Sequence, residues 1–348
     1  MTKPYSTNLF QPYVSNLAIK NAKKVLLGRY IGEGPMVKKL EVDFATKFGF
    51  KHVVAVNSGT SALELAYKLV DVSKKEVITP VLTCVATNLP IIHNGGSVVF
   101  ADITNGLNVC PEDIERKITK KTAAIVFVHM GGNSEGLKEV VKLGKKYKIP
   151  VIEDASHSVG SQFFGKADFT VISLQAIKTL TSVDGGLLIC KSKKDADRAR
   201  KLRWFGYDRE LKQKVGDVDI IEAGYKYQMN DLIASIAIGN LKSIDRVLSH
   251  RVKIANVYRS YGLFAHTWLA GGISKKSYAQ ISDMYKKHGI EVGQHHFRND
   301  KYSVFGGKKK LQMMDKLEDK YFFVPFHYGV SIAEAHKIGK LYESYEKA

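Results

Sequence analysis

Apolar residues cluster in short runs along the first 240 residues, and each run ends in small or polar residues that lead into a helical pattern. Uninterrupted apolar runs are typical of strands buried on both faces of a sheet, and the segments between them favour helices. We therefore expect an α/β fold with a mostly parallel sheet covered by helices. The predicted strands are 53–56, 76–79, 97–102, 123–129, 150–154, 169–174 and 186–190.

The alternation weakens beyond residue 240, where the pattern predicts a smaller α+β domain. We expect a large domain over residues 1–240 and a small C-terminal domain over 241–348, because 348 residues exceed what one core usually holds. The elements predicted for the small domain are a helix at 241–261, a strand near 266–269, a helix at 275–287, a strand near 291–296 and a helix at 332–345.

The chain has a formal net charge of +19, from 53 Lys and Arg against 34 Asp and Glu. Such a balance can indicate a nucleic-acid partner, but the basic residues are scattered and accompany no recognition-helix or zinc-finger pattern. A lysine-rich solvated surface explains the charge more simply and favours a polyanionic small substrate. We expect no nucleic-acid partner, with a non-catalytic regulatory or nucleic-acid-binding protein as the alternative.

Three cysteines, Cys84, Cys110 and Cys190, lie far apart in the sequence. Their odd number and wide spacing predict neither a disulfide framework nor a metal site, which is typical of a reducing compartment. Residues 1–20 lack the apolar run of a signal peptide, and no stretch approaches the ~20 apolar residues that span a bilayer. We expect a cytoplasmic protein that does not associate with a membrane.

The candidate chemistry begins where the predicted strands end, because ligands of parallel sheets bind beyond the carboxyl ends of the strands. The segment 57–62 reads Asn-Ser-Gly-Thr-Ser-Ala between a strand and a helix. Gly59 permits close backbone approach, Thr60 and Ser61 add hydroxyl donors, and the helix N-terminus attracts anions. The segment predicts a phosphate cradle, although an ordinary capped turn remains the alternative.

Two further strand ends carry an acid and an amine. Asp154 ends one apolar run and could pair with a protonated ring nitrogen, or it could simply cap the next segment. Lys178 follows Ser173 and a small apolar segment, where partial desolvation would lower its pKa and free the amine as a nucleophile. Most lysines are surface residues, so each site alone is ambiguous. A cradle, a carboxylate and an amine together meet the needs of pyridoxal 5′-phosphate (PLP).

The sequence resembles the sugar aminotransferases of the DegT/DnrJ/EryC1/StrS family, which have PLP fold type I. The resemblance runs from about Tyr30 to Asp245 and continues more loosely to the C-terminus. Its motifs are Asn57-Ser58-Gly59-Thr60-Ser61-Ala62-Leu63, Thr79 to Thr87, Ile152-Glu153-Asp154-Ala155-Ser156-His157, Ser173 to Lys178 with Gly185-Gly186, and Gly224-Tyr225-Lys226-Tyr227-Gln228-Met229.

The resemblance implies a role for each matching residue. Lys178 would join covalently to the cofactor aldehyde, Asp154 would bind the pyridinium nitrogen, and His157 would contact the ring hydroxyl. The phosphate would be held by Gly59, Thr60, Ser61 and Ser173. The family's active site lies at a homodimer interface, to which the partner subunit contributes the block that begins at Gly224.

Two positions depart from the family pattern. The aromatic residue that usually stacks on the cofactor ring is replaced by Cys84, so the ring would meet a thiol or be covered by another aromatic residue. Lys226 and Gln228 stand where Asn and Arg are frequent. Lys226 could still reach a phosphate across the interface as a point charge.

The resemblance also implies the reaction. L-Glutamate would donate an amino group to a nucleotide-linked 4-keto-6-deoxy sugar, giving a 4-amino-4,6-dideoxy sugar. A 3-keto sugar is the alternative acceptor, and a PLP racemase or lyase acting on amino acids is a more distant alternative. Lys178 argues against the related dehydratases, which carry histidine there. His295 and His296, next to Arg298, could contact a sugar or a diphosphate, although adjacent histidines are more often structural.

Overall fold

A seven-stranded sheet forms the centre of the computed structural model, which describes residues 5–347. The strands of the described chain are β1 (Val53–Val56), β2 (Glu76–Pro80), β3 (Leu82–Thr83), β4 (Ser97–Ala101), β5 (Thr122–Val128), β6 (Val151–Asp154), β7 (Phe169–Ser173), β8 (Gly186–Cys190), β9 (Phe264–Ala265), β10 (Ala270–Ile273), β11 (Phe297–Arg298) and β12 (Tyr321–Val324). The helices are α1 (Asn16–Gly28), α2 (Pro35–Phe48), α3 (Gly59–Val70), α4 (Val85–His93), α5 (Pro111–Lys117), α6 (Leu137–Tyr147), α7 (Lys193–Leu202), α8 (Arg209–Val215), α9 (Asp231–Leu241), α10 (Ile244–Ser260), α11 (Tyr278–Lys287), α12 (Gln312–Leu317) and α13 (Ile332–Lys347).

The central sheet has the order β1-β8-β7-β6-β5-β2-β4. Only β8 runs antiparallel to its neighbours β1 and β7, and the other pairs are parallel, so the predicted α/β fold with a mostly parallel sheet is confirmed. Side chains on β1 alternate between two cores: Val54 and Val56 pack with α3, whereas Val53 and Ala55 pack with α2. Burial on both faces explains why the strands read as continuous apolar runs.

A separate core lies in the C-terminal third, where α10, α11 and α13 pack on the antiparallel sheet β12-β10-β9. The domain boundary at residue 240 stays a prediction. None of the helices within residues 5–347 is long and apolar enough to cross a membrane.

Three predicted elements of the C-terminal part were wrong. The helix predicted for 241–261 is two helices, because α9 ends at Leu241 and α10 begins at Ile244. The strand predicted near 266–269 is the turn between β9 and β10, closed by the amide of His266 donating to the carbonyl of Leu269 at 2.9 Å. The segment 291–296 forms only an isolated bridge, and the pattern missed β12.

Helix α1 crosses α9 at Gly239, where an added Cβ would lie 2.4 Å from the backbone of Ala18. We expect Gly239→Ala to push the helices apart and to lower the free energy of unfolding by about 1–3 kcal/mol, the usual cost of overpacking. Gly28→Ala, in the last turn of α1, is the matched control because its added Cβ would meet nothing within 4 Å. Equal denaturation midpoints for the two variants would contradict the contact.

Candidate active site

The N-terminus of α3 follows the carboxyl end of β1 directly. The Ser58 hydroxyl caps the helix by accepting the Ser61 amide at 3.0 Å, and the Ser61 hydroxyl donates to the Asn57 side chain at 2.7 Å. Thr60 is exposed, so its hydroxyl and the first-turn amides face outward. The helix end therefore offers hydroxyl and amide donors to an anion.

Ser173, at the end of β7, lies against this helix end. A Cβ added to Gly59 would be 2.8 Å from the Cβ of Ser173, so only glycine permits the approach. Gly186 is equally constrained, since its added Cβ would lie 2.3 Å from the carbonyl oxygen of Ser58. The structure thus brings together the four residues predicted for the phosphate cradle, which are Gly59, Thr60, Ser61 and Ser173.

Asp154 presents a buried carboxylate at the end of β6. Oδ2 accepts the Thr87 hydroxyl at 2.9 Å, and Oδ1 accepts the Ser156 amide at 3.2 Å. Because the single hydroxyl proton of Thr87 is used here, the Thr83 hydroxyl must donate to Thr87 across 2.9 Å. Among the residues that the structure describes, no Lys, Arg or His forms an ion pair with Asp154.

Lys178 lies in the loop between β7 and β8, which hydrogen bonds hold in place. The Lys178 amide donates to the carbonyl of Gln175 at 2.9 Å, and Asn240 holds the carbonyl of Thr181 at 2.8 Å. Burial lowers the pKa of the Lys178 ammonium to about 8, against the opposite pull of Cys84 and Asp154. The amine is therefore a much better nucleophile near neutral pH than an ordinary lysine.

His157 is buried beside this amine, and its environment fixes its tautomer. Nδ1 accepts the Gly131 amide at 3.2 Å, so Nε2 carries the proton of the neutral ring. Burial and the charge of Lys178 hold the pKa of His157 well below its usual range. A neutral ring with a proton on Nε2 can donate to an anionic oxygen.

Trp268 and His296 complete the surroundings of His157, and sequence reasoning missed Trp268. The Trp268 ring stacks on His157 with centroids 3.9 Å apart, and the Lys178 Nζ lies 3.9 Å from the Trp268 ring centroid. His296 faces His157 with 3.5 Å between the two Nε2 atoms. The chain has only two tryptophans, which was the one available signal. Nothing local in the sequence links Trp268 to the lysine.

Cys84 precedes α4 and is half-buried close to Lys178. Trp268 is an aromatic residue near the same amine. The structure gives Trp268 contacts with Lys178 and His157 rather than with Cys84. A contact of Cys84 with the cofactor ring stays a prediction.

The backbone of Lys226 lies beside the N-terminus of α3. Its carbonyl accepts the Asn57 side-chain amide at 3.3 Å, while its Nζ lies 5.4 Å from the Phe205 ring centroid. In the amide orientation that satisfies its neighbours, Gln228 accepts from Lys226 Nζ and Trp204 Nε1 at 3.2 Å each. The amine therefore lies near Phe205 and Gln228, and its predicted role at a partner's phosphate stays a prediction.

Arg298, next to the two histidines that were predicted to contact a sugar or a diphosphate, is held by carboxylates. Its buried guanidinium is paired with Asp300 at 2.7 Å, with Glu318 at 3.1 Å and with Asp315. These carboxylates raise its pKa above the ordinary value and occupy its donors. Arg298 holds the chain around β11 together and is not free to bind a ligand.

A family model for the DegT/DnrJ/EryC1/StrS aminotransferase family matches residues 12–266 of this sequence. The chain belongs to this family. Its cofactor is PLP, as the resemblance implied. The buried carboxylate of Asp154, which lacks a cation among the described residues, fits a protonated ring nitrogen, and the donors around Gly59 fit a phosphate.

Relatives within the family act on nucleotide sugars. A UDP-4-amino-4,6-dideoxy-N-acetyl-beta-L-altrosamine transaminase of Campylobacter jejuni (serotype O:23/36, strain 81-176) is 35% identical over 243 residues, covering 68% of this chain and 64% of that relative. A UDP-4-amino-4-deoxy-L-arabinose–oxoglutarate aminotransferase of Shewanella sediminis (strain HAW-EB3) is 34% identical over 262 residues, covering 72% and 68%. The match thus spans slightly less than two thirds of the first relative's length.

A solved structure shows the same fold over nearly the whole chain. The sugar aminotransferase CalS13 from Micromonospora echinospora superposes with a TM-score of 0.90 at 26% identity, covering 97% of this chain and 99% of that chain. The C-terminal part, where the sequence resemblance is loose, therefore keeps the family architecture.

The lowered pKa of Lys178 has a measurable consequence. At a pKa of about 8, half of the amines are neutral near pH 8, whereas an ordinary lysine needs a pH of about 10.4. We expect covalent capture of PLP by cofactor-free protein, trapped with borohydride, to rise with pH and to be half-maximal near pH 8. Lys178→Ala should abolish the trapped mass. A midpoint near 10, or the label on another lysine, would contradict the assignment.

Proposed function

We propose that this protein is a PLP-dependent aminotransferase that transfers an amino group from L-glutamate to carbon 4 of a UDP-linked 4-keto-6-deoxy sugar. The product is the corresponding 4-amino-4,6-dideoxy sugar. The observation that carries the proposal is the desolvated amine of Lys178 close to the buried, uncompensated carboxylate of Asp154. A protein that only bound nucleic acid would have no use for this costly pair.

The acceptor is inferred from the two relatives, whose names both specify a UDP-linked sugar with an amino group on carbon 4. The name of the second relative includes oxoglutarate, the keto acid that glutamate becomes when it donates its amino group. The surplus of basic residues is consistent with a substrate that carries a diphosphate. These points favour carbon 4 over carbon 3 and UDP over other nucleotides.

PLP, when bound, supplies an aldehyde that takes up the amino group and a ring that accepts electrons. Asp154 would hold the ring nitrogen and keep its proton, because a buried carboxylate stabilises a positive partner strongly. The chain Thr83–Thr87–Asp154 aligns this carboxylate, since each hydroxyl donates to the next acceptor. The amides and hydroxyls at the start of α3 bind the phosphate and fix the position of the ring.

Lys178 moves the proton that the reaction requires. With the cofactor bound, its Nζ would take the proton from the substrate carbon as a general base and, as an acid, would return it to the carbon on the other side of the transferred nitrogen. A pKa of about 8 suits both directions near neutral pH. His157 holds a proton on Nε2 that it could donate to the ring oxygen, which would keep the ring oriented.

We further propose that the protein acts as a homodimer with shared active sites, to which Lys226 of one protomer contributes a charge at the phosphate of the other. The support is that the Lys226 Nζ lies 5.4 Å from the ring centroid of Phe205, an exposed aromatic residue. Val183, Ile220 and Ile221 are further exposed apolar residues that a partner surface would cover.

Asp154→Asn tests the role of the carboxylate. The neutral amide cannot hold the ring-nitrogen proton, so we expect kcat to fall by about 10²–10⁴-fold while PLP remains bound. Asp168→Asn is the matched control, because Asp168 accepts the Val151 amide at the opposite end of β6. Near-normal turnover in Asp154→Asn, measured as oxoglutarate release, would remove Asp154 from its proposed role.

The acceptor is tested with a panel of UDP-linked and dTDP-linked 4-keto-6-deoxy and 3-keto sugars, each supplied with L-glutamate. We expect only the UDP-linked 4-keto sugar to gain an amino group. Product mass reports the gain, and the NMR spectrum reports which carbon carries the amine. Amination at carbon 3 would favour the alternative acceptor. Turnover of amino acids without any sugar would favour a racemase or lyase.

A further inference from the structure

Trp268 lies in a hydrophobic cluster that joins Val81 and Leu82 to Leu311 and Tyr321, and it contacts two residues of the candidate site. Its ring lies 3.9 Å from the Lys178 Nζ and stacks on His157 at 3.9 Å with an interplanar angle of 23°. Only 1% of its surface is exposed. One buried indole therefore bounds both the amine and the neutral imidazole that the reaction uses.

Three hydrogen bonds hold Trp268 in place. The backbone amide of Trp268 donates to the carbonyl of Gly131 at 2.9 Å, and the indole Nε1 donates to the carbonyl of Ile177 at 2.9 Å. The backbone carbonyl of Trp268 accepts from the guanidinium of Arg251 at 3.0 Å. Because Ile177 precedes Lys178 in the chain, the indole fixes the backbone of the lysine as well as its amine.

The turn that carries Trp268 fits closely onto the large domain. The Thr267 hydroxyl donates to the carbonyl of His157 at 2.8 Å. A Cβ added to Gly132 would lie 2.0 Å from the Thr267 Oγ1, so glycine is required for the turn to approach. Because these contacts are tight, the Trp268 ring can take only one position relative to the strand ends.

Arg251 supports the turn from helix α10. It is buried, and among the described residues no carboxylate forms an ion pair with it, while burial lowers its pKa to about 10. One of its terminal nitrogens donates to the carbonyls of Thr267 and Trp268 at 3.4 and 3.0 Å. A buried arginine without a carboxylate is costly to keep, and these carbonyls are what it binds.

We propose that Trp268 is a positioning residue for Lys178 and His157, supplied by the small-domain turn and held there by Arg251. The aromatic face lies over the Lys178 amine and excludes water from one side of it. The hydrogen bond from the indole Nε1 to the carbonyl of Ile177 holds the backbone that precedes Lys178 in place. This proposal rests on the proposed role of Lys178 as the residue that binds the cofactor and moves the proton.

The test measures the ionisation of the Lys178 amine in cofactor-free protein. Trinitrobenzenesulfonate labels neutral amines, so the pH midpoint of Lys178 labelling, read by peptide mass, reports its ionisation. Trp268→Leu should admit water and raise the midpoint from about 8 by ~1 pH unit, since desolvation is the main cause of the low value. Trp268→Phe, which keeps a ring, should shift it less. The ionisable neighbours of the amine, which are Cys84, Asp154, His157, His295 and His296, stay unchanged.

Arg251→Met tests the support, and Arg259→Met is the matched control, because Arg259 lies on the same helix and donates to the carbonyl of Ala265 instead. Arg251→Met should raise the midpoint, as Trp268→Leu does, whereas Arg259→Met should leave it unchanged.

In the PLP-loaded enzyme, Trp268→Leu should lower kcat by about 10–100-fold, because Lys178 and His157 lose their positioning. The KM for glutamate should stay within about 3-fold of its original value.

Failure of this proposal can be told apart from failure of the proposed function. If borohydride traps no cofactor on Lys178 in the unchanged protein, the proposed function fails. If the unchanged protein is labelled, and folded Trp268→Leu and Arg251→Met keep the original midpoint and kcat, Trp268 is only a packing residue and the inference is wrong.

Discussion

The buried carboxylate of Asp154, which forms no ion pair among the described residues, is the constraint around which this structure is organised. Taking the charge of Asp154 out of water is costly unless hydrogen bonds and a positive partner compensate for it. The hydroxyl chain from Thr83 through Thr87 and the amide of Ser156 supply the hydrogen bonds. Under the proposed function, the protonated ring nitrogen of the cofactor would supply the positive partner.

The parallel sheet makes this arrangement possible because the carboxyl ends of its strands meet at one edge. The acid, the cradle and the lysine come from segments far apart in sequence, and Gly59 and Gly186 allow the start of α3 to approach Ser173 of β7 and the start of β8 within contact distance. The apolar strands below exclude water and so lower the pKa of the Lys178 ammonium. The packing of the central sheet thus both positions the candidate site residues and makes the Lys178 amine reactive.

The C-terminal part contacts the candidate site through one turn. Trp268 of this turn stacks on His157 within a hydrophobic cluster that joins Val81 and Leu82 to Leu311 and Tyr321, and β11 pairs with β3. We therefore expect the Lys178 amine to be sensitive to the packing of the C-terminal part, although that part supplies neither the lysine nor the carboxylate. Members of a family can change the loops of such a domain and keep the cofactor chemistry.

The sequence by itself determined the strands and the type of the central sheet and the residues at its strand ends, because these depend on local apolar runs and on turns of a few adjacent residues. It also placed Gly59, Asp154, Ser173 and Lys178 in recognisable motifs. Only the tertiary structure showed that Trp268 faces Lys178, that Thr87 aligns Asp154 and that three carboxylates occupy Arg298. The first two contacts join segments 67 or more residues apart in the chain, and all of them arise from packing, which periodicity and spacing do not record.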